Sequence, residues 1–189
     1  MRRILLAFCA IMLTMALHAQ EHLTFKGIPM GSNLATFVSK LKSQGFTQEG
    51  DYGEMIIMKG DFAGKSDCTI VIGATKTTKS VWKVVVTFPE KVSWYSLKSE
   101  YNSFKESYNS KYGKGRSYEY FSDPYYEGDG YELQALRLEK CKYVTFYETT
   151  EGRIMLKIGD DKAVQVHYED KLTTAVKSRE EEQSISNDI

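Results

Sequence analysis

The sequence predicts an α+β fold made of two tandem repeats, each a helix followed by antiparallel strands, joined in one continuous curved sheet with the helices on one face. Three observations predict it. Apolar residues recur at spacings of three and four in 34–41 and again in 94–112, and each time the period then falls to two. Cys68-Thr69-Ile70-Val71 leads to Thr77-Thr78, and Cys141-Lys142-Tyr143-Val144 leads to Thr149-Thr150, with offsets that differ by one residue. Each Thr pair precedes a polar turn and an apolar strand, Val81 to Phe88 in one half and Arg153 to Ile158 in the other. That pattern suits a tandem duplication, with chance likeness between Thr-rich hairpins as the competing explanation. The halves span 20–90 and 91–170, between a leader at 1–19 and a polar tail at 171–189.

Arg2 and Arg3 precede an apolar run from Ile4 to Leu17 that only Thr14 interrupts, and small Ala19 stands just before Gln20. These are the parts of a secretory signal peptide, and the run is shorter than the ~18 residues of a membrane span. The expectation is an exported protein, periplasmic or extracellular, with no membrane span in the mature chain. Loss of the leader removes two arginines and no acid, leaving 23 basic against 25 acidic residues and a net charge of −2. Nucleic acid is therefore not expected as a partner, because binding it needs a surplus of Lys and Arg gathered on one face. A chain of about 170 residues buries roughly two-thirds of its unfolded surface and needs no dense disulfide framework. Cys68 and Cys141 are nevertheless expected to form a disulfide in an oxidising compartment, the alternative being two buried thiols that pack as small hydrophobes.

The first helix begins at Ser32 or Asn33, whose side-chain oxygen suits an N-cap, and buries Leu34, Phe37, Val38 and Leu41. Gly45 suits the left-handed position past its end, with Phe46 closing the apolar contact; Gly27 to Gly31 reads as an entry loop. Strands follow at about 54–59, 68–74 and 80–88, with Trp82, Val84, Val86 and Phe88 on one face and Val81, Lys83, Val85 and Thr87 on the other. Pro89 ends the last of these, and Ser93 caps a longer helix with a core stripe of Trp94, Leu97, Tyr101, Phe104, Tyr108 and Tyr112. Lys98, Glu100, Asn102, Lys105, Glu106 and Asn109 fall on its polar face, and Gly113 stops it. A short strand at 116–121, a loop rich in Tyr, Asp and Gly at 122–130, and strands at about 131–139, 142–149, 153–159 and 162–168 complete the second half. The tail, with its run Arg179-Glu180-Glu181-Glu182, reads as a frayed helix or as disorder.

Chemistry is sparse. After loss of the leader only His22 and His167 remain, and His22 lies near the new terminus where order is expected to be poor. Hydrolytic triads and histidine zinc sites lack parts, the cysteines lack CxxC spacing, and no phosphate loop, GxSxG or HExxH occurs. No catalytic residue, metal or cofactor is assigned, and an enzyme is disfavoured. Two surfaces remain. If the last strands are adjacent, Tyr143, Tyr147, Met155, Lys157, Gln165 and His167 share the second face of the sheet, where Tyr and Met favour contact with an envelope or extracellular protein or peptide. The alternative is the loop, where Asp123, Tyr125, Tyr126, Glu127, Asp129 and Tyr131, with Glu132, suit a carbohydrate-binding protein or an envelope hydrolase that uses paired carboxylates. The same oxygens suit calcium, although Glu127-x-Asp129-Gly130 lacks the remaining spacing of an EF-hand loop.

Four segments carry a resemblance: Phe25-Lys26-Gly27-Ile28-Pro29-Met30-Gly31, Ser93-Trp94-Tyr95-Ser96-Leu97, Lys111-Tyr112-Gly113 and Val166-His167-Tyr168-Glu169-Asp170-Lys171. They resemble landmarks of uncharacterised secreted proteins of Bacteroidetes bacteria. The order of elements also resembles the tandem helix-plus-sheet fold of the beta-lactamase inhibitor protein and of small outer-membrane assembly lipoproteins. The resemblance implies an envelope location and this fold type, and it carries no activity.

Overall fold

A computed structural model describes residues 21–188; the expected leader lies outside them. A two-residue hairpin, β1 (Thr24–Phe25) and β2 (Ile28–Pro29), replaces the expected entry loop. Helix α1 (Leu34–Ser43) follows, with the Asn33 side chain accepting from Ala35 N. At its other end Gly45 N donates to Lys42 O and Phe46 N to Leu41 O, the paired bonds of a Schellman cap. Then come β3 (Thr47–Asp51), β4 (Met55–Phe62), β5 (Lys65–Ala74) and β6 (Val81–Thr87). Helix α2 (Trp94–Tyr112) begins the second half, with Ser93 Oγ accepting from Ser96 N. It is followed by β7 (Arg116–Phe121), α3 (Glu132–Arg137), β8 (Cys141–Glu148), β9 (Gly152–Ile158), β10 (Val164–Asp170) and α4 (Lys171–Asp188).

The chain is α+β, with eight antiparallel strands in one sheet ordered β3-β4-β5-β6-β10-β9-β8-β7. The two strand sets meet at β6 and β10, where Val84 faces Tyr168 and Val86 faces Val166. The inner face carries Ile70, Ile72, Val84, Val86, Ile154, Leu156 and Val166, none with any exposed surface. The apolar stripes of α1 and α2 cover this face. Phe25 links hairpin to core by packing near Phe37, Phe62 and Tyr168, and Phe104 stacks on Phe88 at 4.3 Å.

Several expectations change. The segment 131–139 is not a strand: Glu132–Arg137 turns once and a half as α3, burying Ala135 and Leu136, and it is too short for its apolar spacing to distinguish helix from strand. Strand β3 has the polar sequence TQEGD and no alternation to betray it. In β6 a register shift between Gly73 and Ala74 turns Val81 inward with Val84 and Val86, and leaves Trp82 on the outer side over Gly73. Glu100 is buried on α2 rather than solvated, its carboxylate 3.2 Å from Lys65 Nζ and 3.0 Å from Lys91 Nζ. The tail is helical as α4 and rests against the outer side, with Lys177 Nζ 5.0 Å from the Trp82 ring and Glu180 accepting from Thr77 N and Thr78 N. Helices therefore do not lie on one face alone.

The expected disulfide does not form. Cys68 on β5 and Cys141 on β8 are free and buried, with β6, β10 and β9 between them. Four strand spacings put them roughly 19 Å apart, far beyond bridging distance. His22 is not frayed either: its Nδ1 lies 2.9 Å from Asp170 Oδ2, and its ring fills the space that a Cβ on Gly31 would need, 2.4 Å away.

Candidate binding face

Pairing registers define the outer face strand by strand. Met155 faces His167, and Lys157 faces Gln165, so these four residues form a contiguous block on β9 and β10. Val85 and Thr87 of β6 extend it on one side, and Phe146 and Val144 of β8 on the other. Tyr118 and Tyr120 of β7 complete the row, both exposed. On this side α4 packs at the Trp82 end, against β6 and the near ends of β10 and β9, and Leu136 of α3 lines the far end of the face beside Val144, Phe146 and Met155, which leaves the middle of the block from β10 to β7 open.

Tyr143 and Tyr147 are not part of it. Both point inward beneath α2, where Tyr143 meets Trp94 edge-on at 5.1 Å and Tyr147 Oη donates to Lys105 O. Strand β8 is apolar on both faces, Tyr143-Thr145-Tyr147 against Val144-Phe146, so its alternation does not say which set faces the core. The polar ends of the tyrosines break the tie. Helix α2 supplies partners for buried hydroxyls, with Tyr101 Oη and Thr145 Oγ1 at 2.6 Å, whereas Phe146 needs none on an open face. Phe146, Val144, Tyr118 and Arg116 are thus face residues that the sequence pattern left out.

Local contacts on the face are dense. Phe146 lies between the edge of Tyr118, at 6.3 Å, and the Arg153 guanidinium, at 5.9 Å. Arg153 and Lys83 both bond Glu169; its burial raises the carboxyl, but the two cations outweigh that and hold it below the ordinary range. His167 Nε2 lies 3.1 Å from Gln165 Oε1, and its Nδ1 is buried without a hydrogen-bond partner. Burial first, then Lys83 and Lys157, bring its pKa down to about 4.

The acidic loop behaves differently. Glu127 pairs with Lys98 and accepts from Tyr143 Oη at 3.3 Å, and the Lys98 bond holds its carboxyl below the usual range. Asp129 accepts from Tyr126 N and Tyr131 N, and Glu132 from Gly128 N. Tyr125 packs against the core and its hydroxyl accepts from Gln134, whereas Tyr126 and Tyr131 are exposed. Asp123 is exposed as well. Among the described residues no group of three or more His, Cys, Asp or Glu is placed to hold a metal ion. Between this loop and α2 runs an open groove of about 860 Å³ lined by Trp94, Tyr95, Lys98, Asn102, Glu127 and Glu132.

No helix among the described residues is long and apolar enough to cross a membrane. No protein-family model, curated protein or solved structure matches the chain.

Proposed function

We propose that the chain is a non-catalytic binding module of the bacterial cell envelope that engages a protein or peptide through the outer face of its sheet. The observation that carries this is the uncovered block of Phe146, Met155, Lys157, Gln165 and His167 on adjacent strands. The four strands from β10 to β7, about 4.8 Å apart and some five residues long, present roughly 300 Å², less than the ~800 Å² per partner of a standard interface and of the size of a weak, transient one. Export rests on the leader sequence, and the envelope setting also on the resemblance to secreted Bacteroidetes proteins. Each half runs as a helix and then a four-strand meander, interrupted by α3 after the first strand of the second half, and the halves meet at their last strands, an order that supports descent from a duplicated unit.

The test is capture of partners from envelope extracts of the native cells with the wild-type chain, a Phe146→Glu/Met155→Glu variant and an Asn102→Ala/Glu106→Ala variant of the exposed α2 side. The proposal expects a partner lost only with the sheet-face variant. Equal capture by all three chains, or none by any, overturns it.

The groove beside α2 supports a second function, contact with carbohydrate, because Trp94 lines it and Tyr95, 83% exposed, offers a ring for stacking. Sugar binding is favoured there over hydrolysis. A general acid needs a raised carboxyl pKa, and Lys98 moves Glu127 the other way. Binding on a glycan array that Tyr95→Ala abolishes would support this reading; an array without signal removes it.

A further inference from the structure

Strand β7 is an edge of the sheet whose charges are Arg116 on the outer side and Glu119, which turns inward to Lys105 and Tyr101 and leaves the outer backbone row clear. Its six residues pair with β8 in unbroken register, without bulge or proline, and no described residue hydrogen-bonds to the backbone along its outer edge. The opposite edge, β3, is disturbed by a register shift between Gln48 and Gly50 and carries Glu49 and Asp51. Edge strands are ordinarily protected by such devices, because an open row of N–H and C=O groups recruits another strand.

The surface beside this edge has a sign. On the outer positions of β7, β8 and β9 stand Arg116, Lys142, Arg153 and Lys157 against Glu148, with Glu139 and Asp160 on the flanking turns at the β8–β9 end and no acid on the outer side of β7 itself. Arg116, Lys142 and Lys157 form no ion pair with a described carboxylate. Arg116 lies over the Tyr118 ring at 5.9 Å, and Tyr118 meets Phe146 edge-on, so apolar rings and unpaired cations alternate across the first strands from the edge.

We infer that the β7 edge takes up an extended acidic segment of a partner protein as a ninth strand, with carboxylates directed to Arg116 and Lys142 and apolar side chains laid on Tyr118 and Phe146. The inference deepens the proposed function and rests on it. Backbone pairing supplies much of the affinity in strand addition, and the alternate side chains supply selectivity. A polyanionic glycan matches the cations but has no amide ladder for the edge. A second copy of this chain matches the ladder but brings Arg116 and Lys142 against their like, which opposes association.

The experiment is fluorescence anisotropy of the mature chain with a labelled peptide of alternating valine and glutamate, the same peptide with lysine for glutamate, and the acidic peptide N-methylated at the amides of one edge. The inference expects binding of the acidic peptide alone, weakened by salt and reduced about tenfold or more by Arg116→Glu/Lys142→Glu. Undiminished binding of the N-methylated peptide refutes strand addition and leaves a general polyanion surface, which dextran sulfate would then share. No binding of the acidic peptide, or sedimentation of the chain as a dimer that Tyr118→Asp dissolves, also overturns it. Because peptide chemistry provides two of the controls, misfolding of a variant does not blur the result. A failed peptide alongside partner capture that still needs Phe146 and Met155 defeats this inference while sparing the proposed function.

Discussion

Asp170 is the residue whose replacement most directly tests how the fold is closed. Its carboxylate has no exposed surface and sits where three separate pieces of chain meet. Oδ1 accepts from Leu23 N at 2.9 Å, and Oδ2 accepts from Thr173 N at 2.9 Å and Thr173 Oγ1 at 2.7 Å, with His22 Nδ1 also 2.9 Å away. One side chain thus caps α4 and ties down the strand that carries Phe25 into the core. Asp170→Ala leaves two buried amides without acceptors, each worth about 1–3 kcal/mol, the one at Thr173 being the cap of α4. The expected loss is about 3–5 kcal/mol, a large share of the roughly 5–15 kcal/mol typical of a folded domain.

Asp170→Asn is the sharper test because it keeps size and shape. One oxygen faces Leu23 N–H and the other faces Thr173 N–H, so either orientation of the amide sets its NH₂ against a donor. The expected cost is about 2–4 kcal/mol, seen as a fall in Tm of about 10 °C for a chain of this length, measured by calorimetry. Hydrogen exchange should quicken at Leu23 and Thr173 before the β6 and β10 amides respond. A Tm within about 2 °C of wild type, or unchanged exchange at both amides, would refute the assignment of Asp170 as the tie between termini.

Four further outcomes follow from the packing. His167 is held near 4 by burial and by Lys83 and Lys157, against the opposing pull of Glu169, while the unfolded imidazole protonates near ~6.5; its contribution is present above that pH and is lost as pH falls toward 4. Allowing for partial screening by solvent, the loss is about 1–2 kcal/mol, and His167→Gln should remove it from the difference between urea melts at the two ends of that window. Both cysteines should react with a thiol reagent in denatured, unreduced protein and resist it when folded, since burial pushes Cys141 up to about 12; a mass two hydrogens short would contradict free thiols. Gly31→Ala should destabilise by about 1–3 kcal/mol, and a double-mutant cycle with His22→Ala should return part of that, because the clash is with the His22 ring; strict additivity would place the ring elsewhere. Trp94→Ala should cost about 3–5 kcal/mol in chemical denaturation, and a near-unchanged melt would remove the ring from the core.

Helices α1 and α2 and strands β9 and β10 were legible because each carries one period and a clear boundary. Asn33 and Gly45 bracket α1, Ser93 and Gly113 bracket α2, and Ile154-Leu156-Ile158 faces inward throughout. Legibility fails where the pattern is absent, short or doubled. Polar β3 is held in place by pairing with β4, a tertiary effect with no local trace. The six residues of α3 offer less than two turns of period. The two apolar faces of β8 exchange Tyr143 and Tyr147 for Val144 and Phe146, so four of the six expected face residues cluster and two do not. Glu100 deceives for another reason: its spacing from Leu97 and Phe104 places it on the core stripe, and Lys65 and Lys91 from distant segments make that placement tolerable.

The composition of the outer face bears on the kind of partner it suits. An obligate interface resembles a core cut in half, whereas Lys157, Gln165, His167 and Thr87 interrupt the apolar residues here at nearly every second position. The face is also half-buried, because Leu136 of α3 lines its rim beside Val144 and the Arg153 and Arg116 cations lie along the Phe146 and Tyr118 rings, so the free chain loses little by leaving it in water. A surface of that kind suits a partner that comes and goes. In such interfaces a few packed rings supply most of the affinity and the charges mainly set the rate of encounter. Phe146, wedged between Tyr118 and Arg153, is the ring best placed for that, so Phe146→Ala should speed dissociation of a captured partner about tenfold or more. Lys157→Ala should chiefly slow its association at low salt. The reverse assignment, measured by surface plasmon resonance, would mean that the face binds by charge and that its rings are only structural.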